Sequence, residues 1–191
     1  MTDQTAAMTD QLSIWRTDHA NFARLLALLE QELSLIEQGE PPDHSLMADV
    51  VSYLHLHADR AHHPLEELAF ERMMARDPAL TIPIGRLRQE HRVLSAAGAE
   101  LLERLRQLAS DVVSSREPVE SAAATFLVYY RHHLMVEERE LLPRAAQLLT
   151  DDDWADVVRQ ARPGADPLFG DPPEQRFVAL RRRLAMDADA G

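Results

Sequence analysis

Four stretches of roughly 30 residues repeat apolar side chains at 3-4 spacing, and each carries a histidine inside its apolar seam. This pattern constrains the chain more than any other feature. A seam with that period is one face of an α-helix that must be buried against neighbours. The first stretch runs from about Met8 to Glu37, through Trp15, His19, Phe22, Leu26, Leu29, Leu33 and Ile36, and stops at Gly39, Pro41 and Pro42. The second starts near His44 or Ser45 and runs to about Arg76, through Val51, His55, Ala58, His62, Ala69 and Met73, before Asp77-Pro78. The third begins around Pro83, carries Ile84, Leu87, His91, Leu94, Gly98, Leu101, Leu105 and Leu108, and fades in SDVVSSREP. The fourth spans about Pro118 to Leu149, through Val119, Ala122, Phe126, Tyr129 or Tyr130, His133 and Val136. There is no Asn-Gly hairpin signal and no sustained alternation, so strands are not expected. Short connections favour antiparallel neighbours. The expected fold is therefore all-α, an up-down-up-down antiparallel four-helix bundle over residues 8–149.

Residues 150–191 read as a short C-terminal helical extension. Thr150 and Asp153 form a capping-box pattern opening a short helix around Trp154. After the loop ARPGADPLFGDPPE, Pro172 or Pro173 is expected to open a last helix with Phe177, Leu180 and Leu184. Trp154, Phe169 and Phe177 are expected to pin this tail to the bundle, and MDADAG to fray.

A lone histidine in an apolar seam is more often a hydrogen-bonded core residue than a ligand. Four of them need a different explanation, because a core gains nothing from clustered imidazoles. The midpoint between His19 and His62 falls near Glu40, in the first breaker. That between His62 and His91 falls near Arg76, at the second, and that between His91 and His133 near Val112, at the third. Folding an antiparallel bundle at those breakers brings the four histidines to one level, within about one helical turn, ~5 Å.

Carboxylates stand beside two of them. Glu66 follows His62 by four residues and Glu137 follows His133 by four, so each pair shares a helix face and can present a nitrogen and an oxygen to one point. Such a pair alone is ordinarily a solvated one. Repeated at equal height beside two further seam histidines, it points to a buried cation, which supplies the charge that buried carboxylates need. Imidazole and carboxylate without thiolate suit iron, manganese or zinc.

Composition narrows the alternatives. The 191 residues contain no cysteine, which excludes disulfides, thiolate nucleophiles, zinc fingers and cysteine-held iron–sulfur clusters. The formal net charge of −12 argues against nucleic acid or an anionic membrane as partner. No apolar run approaches the ~18 residues of a membrane span, and the N-terminus lacks a basic–apolar leader pattern, so a cytoplasmic location is expected.

His19 in TDHANF, HHPLEE on the second segment, EHRVL on the third and HHLMVEERELLP on the fourth together resemble the hemerythrin-like (HHE cation-binding) domain family, over roughly Leu12 to Leu149. DPLFG also resembles tails of bacterial members. The resemblance implies two iron ions, oxo- or hydroxo-bridged, held by His19, His62, Glu66, His91, His133 and Glu137, with Glu66 and Glu137 bridging. Oxygen-carrying hemerythrins have a His-x-x-x-His pair on the third helix. Here Ser95 lies four after His91 and Leu87 four before it, so one imidazole is missing. His63 is the best replacement; the alternative is a coordination position filled by water. Glu90, Asp18 and Asp59 are candidate acceptors for the outer imidazole nitrogens.

The remaining polar residues have plainer readings. His132 is expected at the surface, Glu67 and Glu138 outward, and His44 and His57 exposed. His55, one heptad (~10 Å) before His62, suits a core or access-channel role better than ligation. Tyr129 or Tyr130 could reach the site, with core packing the commoner role. Pro64 should kink the second helix beside the site. Two functions follow from the resemblance. One is a di-iron protein that binds, senses or reacts with a small oxidant: dioxygen, peroxide or nitric oxide. The other is a metal-responsive regulatory module whose bundle is stabilised by iron.

Overall fold

The computed structural model describes residues 4–109, 116–162 and 164–189, and among them every regular element is helical. Helix α1 is Gln4–Glu37. Helix α2, His44–His57, opens at an Asp43 N-cap whose side chain accepts from the Leu46 amide. It passes through a π-helical turn, Ala58–His62, directly into α3, His63–Arg76. After a 3₁₀ turn at Pro78–Leu80 comes α4, Thr81–Ala109. Helix α5, Glu117–Val136, continues through a second π-helical turn, Glu137–Leu141, into α6, Leu142–Leu148. The four long sequence segments thus correspond to α1, α2–α3, α4 and α5–α6. The expected fading of the third segment in SDVVSSREP falls mostly on residues 110–115, outside the described residues.

The kink expected at Pro64 takes the form of the first π turn. Proline has no amide hydrogen, and its ring collides with the carbonyl four residues back in an α-helix. Here the His63 amide donates to the Ala58 carbonyl, five residues back, and the widened turn accommodates Pro64. The fourth segment repeats the arrangement. The Leu142 amide donates to the Glu137 carbonyl just before Pro143. Such bulges concentrate at functional sites, and each of these contains a residue of the histidine–carboxylate set.

Helix α4 packs on α2 and α5, α1 on α2 and α5, and α3 on α4, α6 and α7. The interior is split. One apolar cluster centres on Phe22, Leu26, Leu29, Leu54, Leu101, Phe126 and Tyr130; the other on Trp15, Leu65, Phe70, Met73, Ile84, Leu87 and Leu142. Along every long segment the seam crosses from one cluster to the other at a histidine: Trp15–His19–Phe22, Ala58–His62–Leu65, Leu87–His91–Leu94 and Tyr130–His133–Leu141. The polar residues form a buried layer across the bundle.

The tail docks on both halves. Helix α7, Asp151–Ala161, starts at the expected Thr150–Asp153 capping box, and Trp154 packs edge-on against Trp15 at 5.2 Å. The last helix, α8, is Val178–Asp189, later than the expected start at Pro172 or Pro173. The Glu174 amide is committed to the Pro167 carbonyl at 2.8 Å, and Phe177 lies in a preceding 3₁₀ turn, Gln175–Phe177. Of MDADAG, Met186 to Asp189 continue this helix, and the final two residues lie outside the described ones. Phe169 and Phe177 meet Tyr53 edge-on, and Arg176 binds Asp49 and Ser52 on α2.

Candidate metal centre

The four seam histidines arrive at one level from α1, the α2–α3 junction, α4 and α5. Their inward faces meet two carboxylates. His19 Nε2 lies 3.1 Å from His62 Nε2, and His62 Nε2 lies 3.0 Å from Glu66 Oε1. His19 is 3.7 Å from Glu66 and 3.5 Å from Glu137. His91 Nε2 is 3.5 Å from Glu66 and 3.8 Å from Glu137, and His133 Nε2 is 3.3 Å from Glu137. His63 joins from beside His62: its ring stacks on His91 at 4.1 Å. The ligand-type atoms fall into two groups, each within 4.8 Å: His63, Glu66, His91 and His133, and His19, His62 and Glu66. Glu66 is common to both, and Glu137 reaches residues of both. All seven residues are buried.

The π turn explains how two consecutive residues face one site. On a regular α-helix, i and i+1 point apart. The extra residue within the Ala58–His62 turn lets His62 and His63 both turn inward. On α5 the His133–Glu137 spacing stays regular, because the Glu137 amide still donates to the His133 carbonyl.

Each imidazole faces a carboxylate on its outer side. His62 Nδ1 lies 3.1 Å from Asp18, His63 Nδ1 3.1 Å from Asp59, and His133 Nδ1 3.3 Å from Glu90. His91 Nδ1 lies 3.1 Å from Glu67, and His19 Nδ1 3.5 Å from Glu138 without a hydrogen bond. Glu67 and Glu138 are therefore not simply outward: the helix turns that carry Glu66 and Glu137 inward bring the following residues against His91 and His19. A carboxylate holding Nδ1–H leaves Nε2 with its lone pair aimed at the centre.

Asp59 is met from more than one side. His55 Nδ1 lies 3.3 Å from its other oxygen without a hydrogen bond. Burial, which raises the Asp59 pKa, is outweighed by His55, His63 and Ser95, which hold it below the ordinary carboxylate range. His55 is thus a support for His63 through Asp59. Ser95, where a second α4 imidazole is missing, serves the same carboxylate. Gly98 allows this approach of α2 and α4, since a Cβ there would lie 3.0 Å from His55 Cβ. His57 is not exposed as expected. Its ring stacks on Tyr53 at 4.8 Å and its Nε2 lies 3.6 Å from Asp166, which also accepts from the Tyr53 hydroxyl. His44 is half-buried, His132 is exposed, and Tyr129 is exposed whereas Tyr130 is buried with its hydroxyl donating to the Leu54 carbonyl.

Electrostatics are dominated by this packing of unlike groups. Burial opposes charge on His62, but Glu66 and Asp18 outweigh it and push the imidazole up to about 10. Burial likewise opposes charge on His91, and the Glu137 and Glu67 carboxylates carry it to about 10. His63 goes the other way: burial outweighs Asp59, the His91 cation adds repulsion, and it falls to about 4. Burial resists ionisation of Glu66, yet His62 and His19 hold it well below the ordinary carboxylate range.

The residues fit a bound cation. Glu66 Oε2, both Glu137 oxygens, His91 Nε2 and His133 Nε2 are buried and make no hydrogen bond. Buried carboxylate oxygens without partners are costly, and a metal ion would satisfy them together with the nitrogens. Ligand atoms ~2.1 Å from one ion lie ~3.0–3.4 Å apart at octahedral or tetrahedral angles. The His19–His62, His62–Glu66 and His133–Glu137 separations of 3.1, 3.0 and 3.3 Å already have that spacing.

A helical protein with imidazoles and carboxylates converging in a buried layer between two apolar clusters is, by class, a metal-binding helical domain. The family model for the hemerythrin HHE cation binding domain matches residues 10–145, and the chain belongs to that family. Comparison with curated proteins and with solved structures gave no match. Among the described residues no helix is long and apolar enough to cross a membrane.

Proposed function

We propose that this chain is a non-haem di-iron protein that binds, senses or reacts with a small oxidant, whether dioxygen, peroxide or nitric oxide. The observation that carries the reading is the set of buried, unpartnered oxygens and nitrogens on Glu66, Glu137, His91 and His133. His63, His91 and His133 would hold one ion and His19 and His62 the other, with Glu66 and Glu137 shared, on four long helices running up-down-up-down. Iron, when bound, supplies the redox chemistry. The protein's residues bind and orient it, and the two apolar clusters exclude water.

The His19–His62 side has one imidazole fewer, so a small ligand would have room there. A cleft of about 300 Å³ between α1 and α5, walled by Ala23, Leu26, Leu134 and Met135, opens on His19. It suits a diatomic or peroxide-sized molecule. Neither nucleic acid nor a membrane is part of this reading, and a cytoplasmic setting suits the acidic, cysteine-free chain. A second reading, a metal-responsive module, is favoured by the position of the polar layer between the two halves of the core, where occupancy would govern how the helices hold together.

Anaerobic addition of ferrous iron to metal-free protein, followed by air, tests the first reading. Uptake near two ions per chain with a new near-ultraviolet band supports it, and no uptake refutes it. The Glu66→Ala/Glu137→Ala double variant should lose the paired centre; retention of two ions there would remove the bridging assignment.

A further inference from the structure

Two openings that reach the centre among the described residues differ in kind. The α1–α5 cleft ends on His19, which is 1% exposed, and is flanked by the guanidinium-bearing Arg131 and Arg139 and by the Glu138 carboxylate, 3.5 Å from His19 Nδ1. The other is a groove of about 650 Å³ between α3, α4 and the end of α7. His63 and His91, at 6% and 8%, are the most exposed of the seven site residues, and both line this groove. Their stacked rings separate it from the Nε2 atoms inside. Asp59 and Glu67 adjoin those rings, with side chains 28% and 34% exposed. Arg88 and Arg92 line the groove as well, Arg88 held against Glu67 and Glu71 and Arg92 against Gln89. Net charge therefore does not select this side; the groove sets two carboxylates against two imidazoles, where the α1–α5 cleft sets one, Glu138, against His19.

We propose that metal ions reach and leave the centre through the α3–α4 groove, with the His63–His91 ring pair as its inner door and Asp59 and Glu67 as transient oxygen ligands. The inference rests on the metal-centre reading above. A hydrated divalent ion sheds water most readily where carboxylates replace it, and rotation of either side chain opens the way past the ring pair. The α1–α5 cleft, with one carboxylate against a single imidazole and apolar walls, offers an incoming cation fewer oxygen ligands. The routes for ion and for small ligand are then on different faces of the bundle.

The test uses cobalt(II), which is redox-silent under these conditions and coloured when bound, added to metal-free full-length protein in a stopped-flow instrument. The reverse step is extraction by a chelator. Gln160→Trp fills the outer groove from an exposed α7 position, and Ala23→Phe fills the α1–α5 cleft from an exposed α1 position. Gln160→Trp should slow uptake and extraction by about tenfold, the effect of one added steric barrier of modest height, with final stoichiometry unchanged. Glu67→Gln, which keeps the shape, should slow uptake in the same direction. Ala23→Phe should leave both rates unchanged. The proposal is overturned if Gln160→Trp and Glu67→Gln both load at the wild-type rate, or if Ala23→Phe alone slows loading. A wild-type protein that takes up no cobalt and no iron would instead refute the metal-centre reading itself.

Discussion

Two glycines of α4 should respond to alanine with opposite signs. A Cβ at Gly98 would lie 3.0 Å from His55 Cβ, 3.1 Å from Cγ and 3.3 Å from Nδ1. His55 Cβ is fixed to the α2 backbone, so no rotamer change relieves the contact, and the helices must part. Overpacking of this kind costs about 1–3 kcal/mol, while replacing a helical glycine by alanine gains about 1 kcal/mol. The net for Gly98→Ala is a loss of about 1 kcal/mol, or about 2–4 °C in Tm for a chain of this size. At Gly85 an added Cβ meets nothing within 4 Å. Gly85→Ala should therefore keep the whole propensity gain, about 1 kcal/mol, and raise Tm by a similar amount. The assay is reversible thermal melting of metal-free protein followed by circular dichroism. Because His55 and His63 share Asp59, Gly98→Ala should also shift the His63 ring resonances, and Gly85→Ala should not. A Gly98→Ala protein stabilised as much as Gly85→Ala would refute the close α2–α4 approach.

Other consequences concern the centre and its supports. Asp59→Asn weakens the hold on His63, so metal affinity should fall about 10–100-fold while two ions still bind at saturation; equilibrium titration against a competing chelator measures it. His62 and His91, held at about 10, carry protons at neutral pH in the metal-free protein, and an incoming ion must displace them. Raised values mean that lowering the pH strengthens the competitor, so apparent affinity should fall by about tenfold per proton, or about 100-fold per pH unit, between pH 9 and 7. A pH-independent affinity, or no proton release in a weakly buffered indicator solution, would contradict this. Trp154→Ala empties a fully buried position against Trp15 and should cost about 3–5 kcal/mol in chemical denaturation.

Much of the candidate site was legible in the sequence because it follows helical periodicity. A histidine that interrupts an apolar seam marks the height of the polar layer, and the midpoints at Glu40, Arg76 and Val112 locate the folds that bring those heights together. The Glu66 and Glu137 spacings follow from the same period. What periodicity does not carry is a change in the helix itself. The π turns at Ala58–His62 and Glu137–Leu141 alter the number of residues per turn, so His63 faces inward beside His62 and Glu67 meets His91. Pro64 was a visible sign of the first turn. Pro143, at the same distance after the second, was an equal sign whose meaning depends on knowing the first. His55 and Ser95 were legible only as misfits, because their common partner Asp59 lies between helices. His57 is covered by Asp166 of the tail, a long-range contact that no local pattern encodes.

The central claim is a paired metal centre on His19, His62, His63, Glu66, His91, His133 and Glu137. Its most direct test is the metal content of protein purified from iron-supplemented cells, read with Mössbauer spectroscopy and compared with the Glu66→Ala/Glu137→Ala variant. The account predicts two irons per chain, magnetically coupled, and loss of the coupled pair in the variant. One uncoupled ion per chain, no iron, or the same coupled pair in the variant would contradict it.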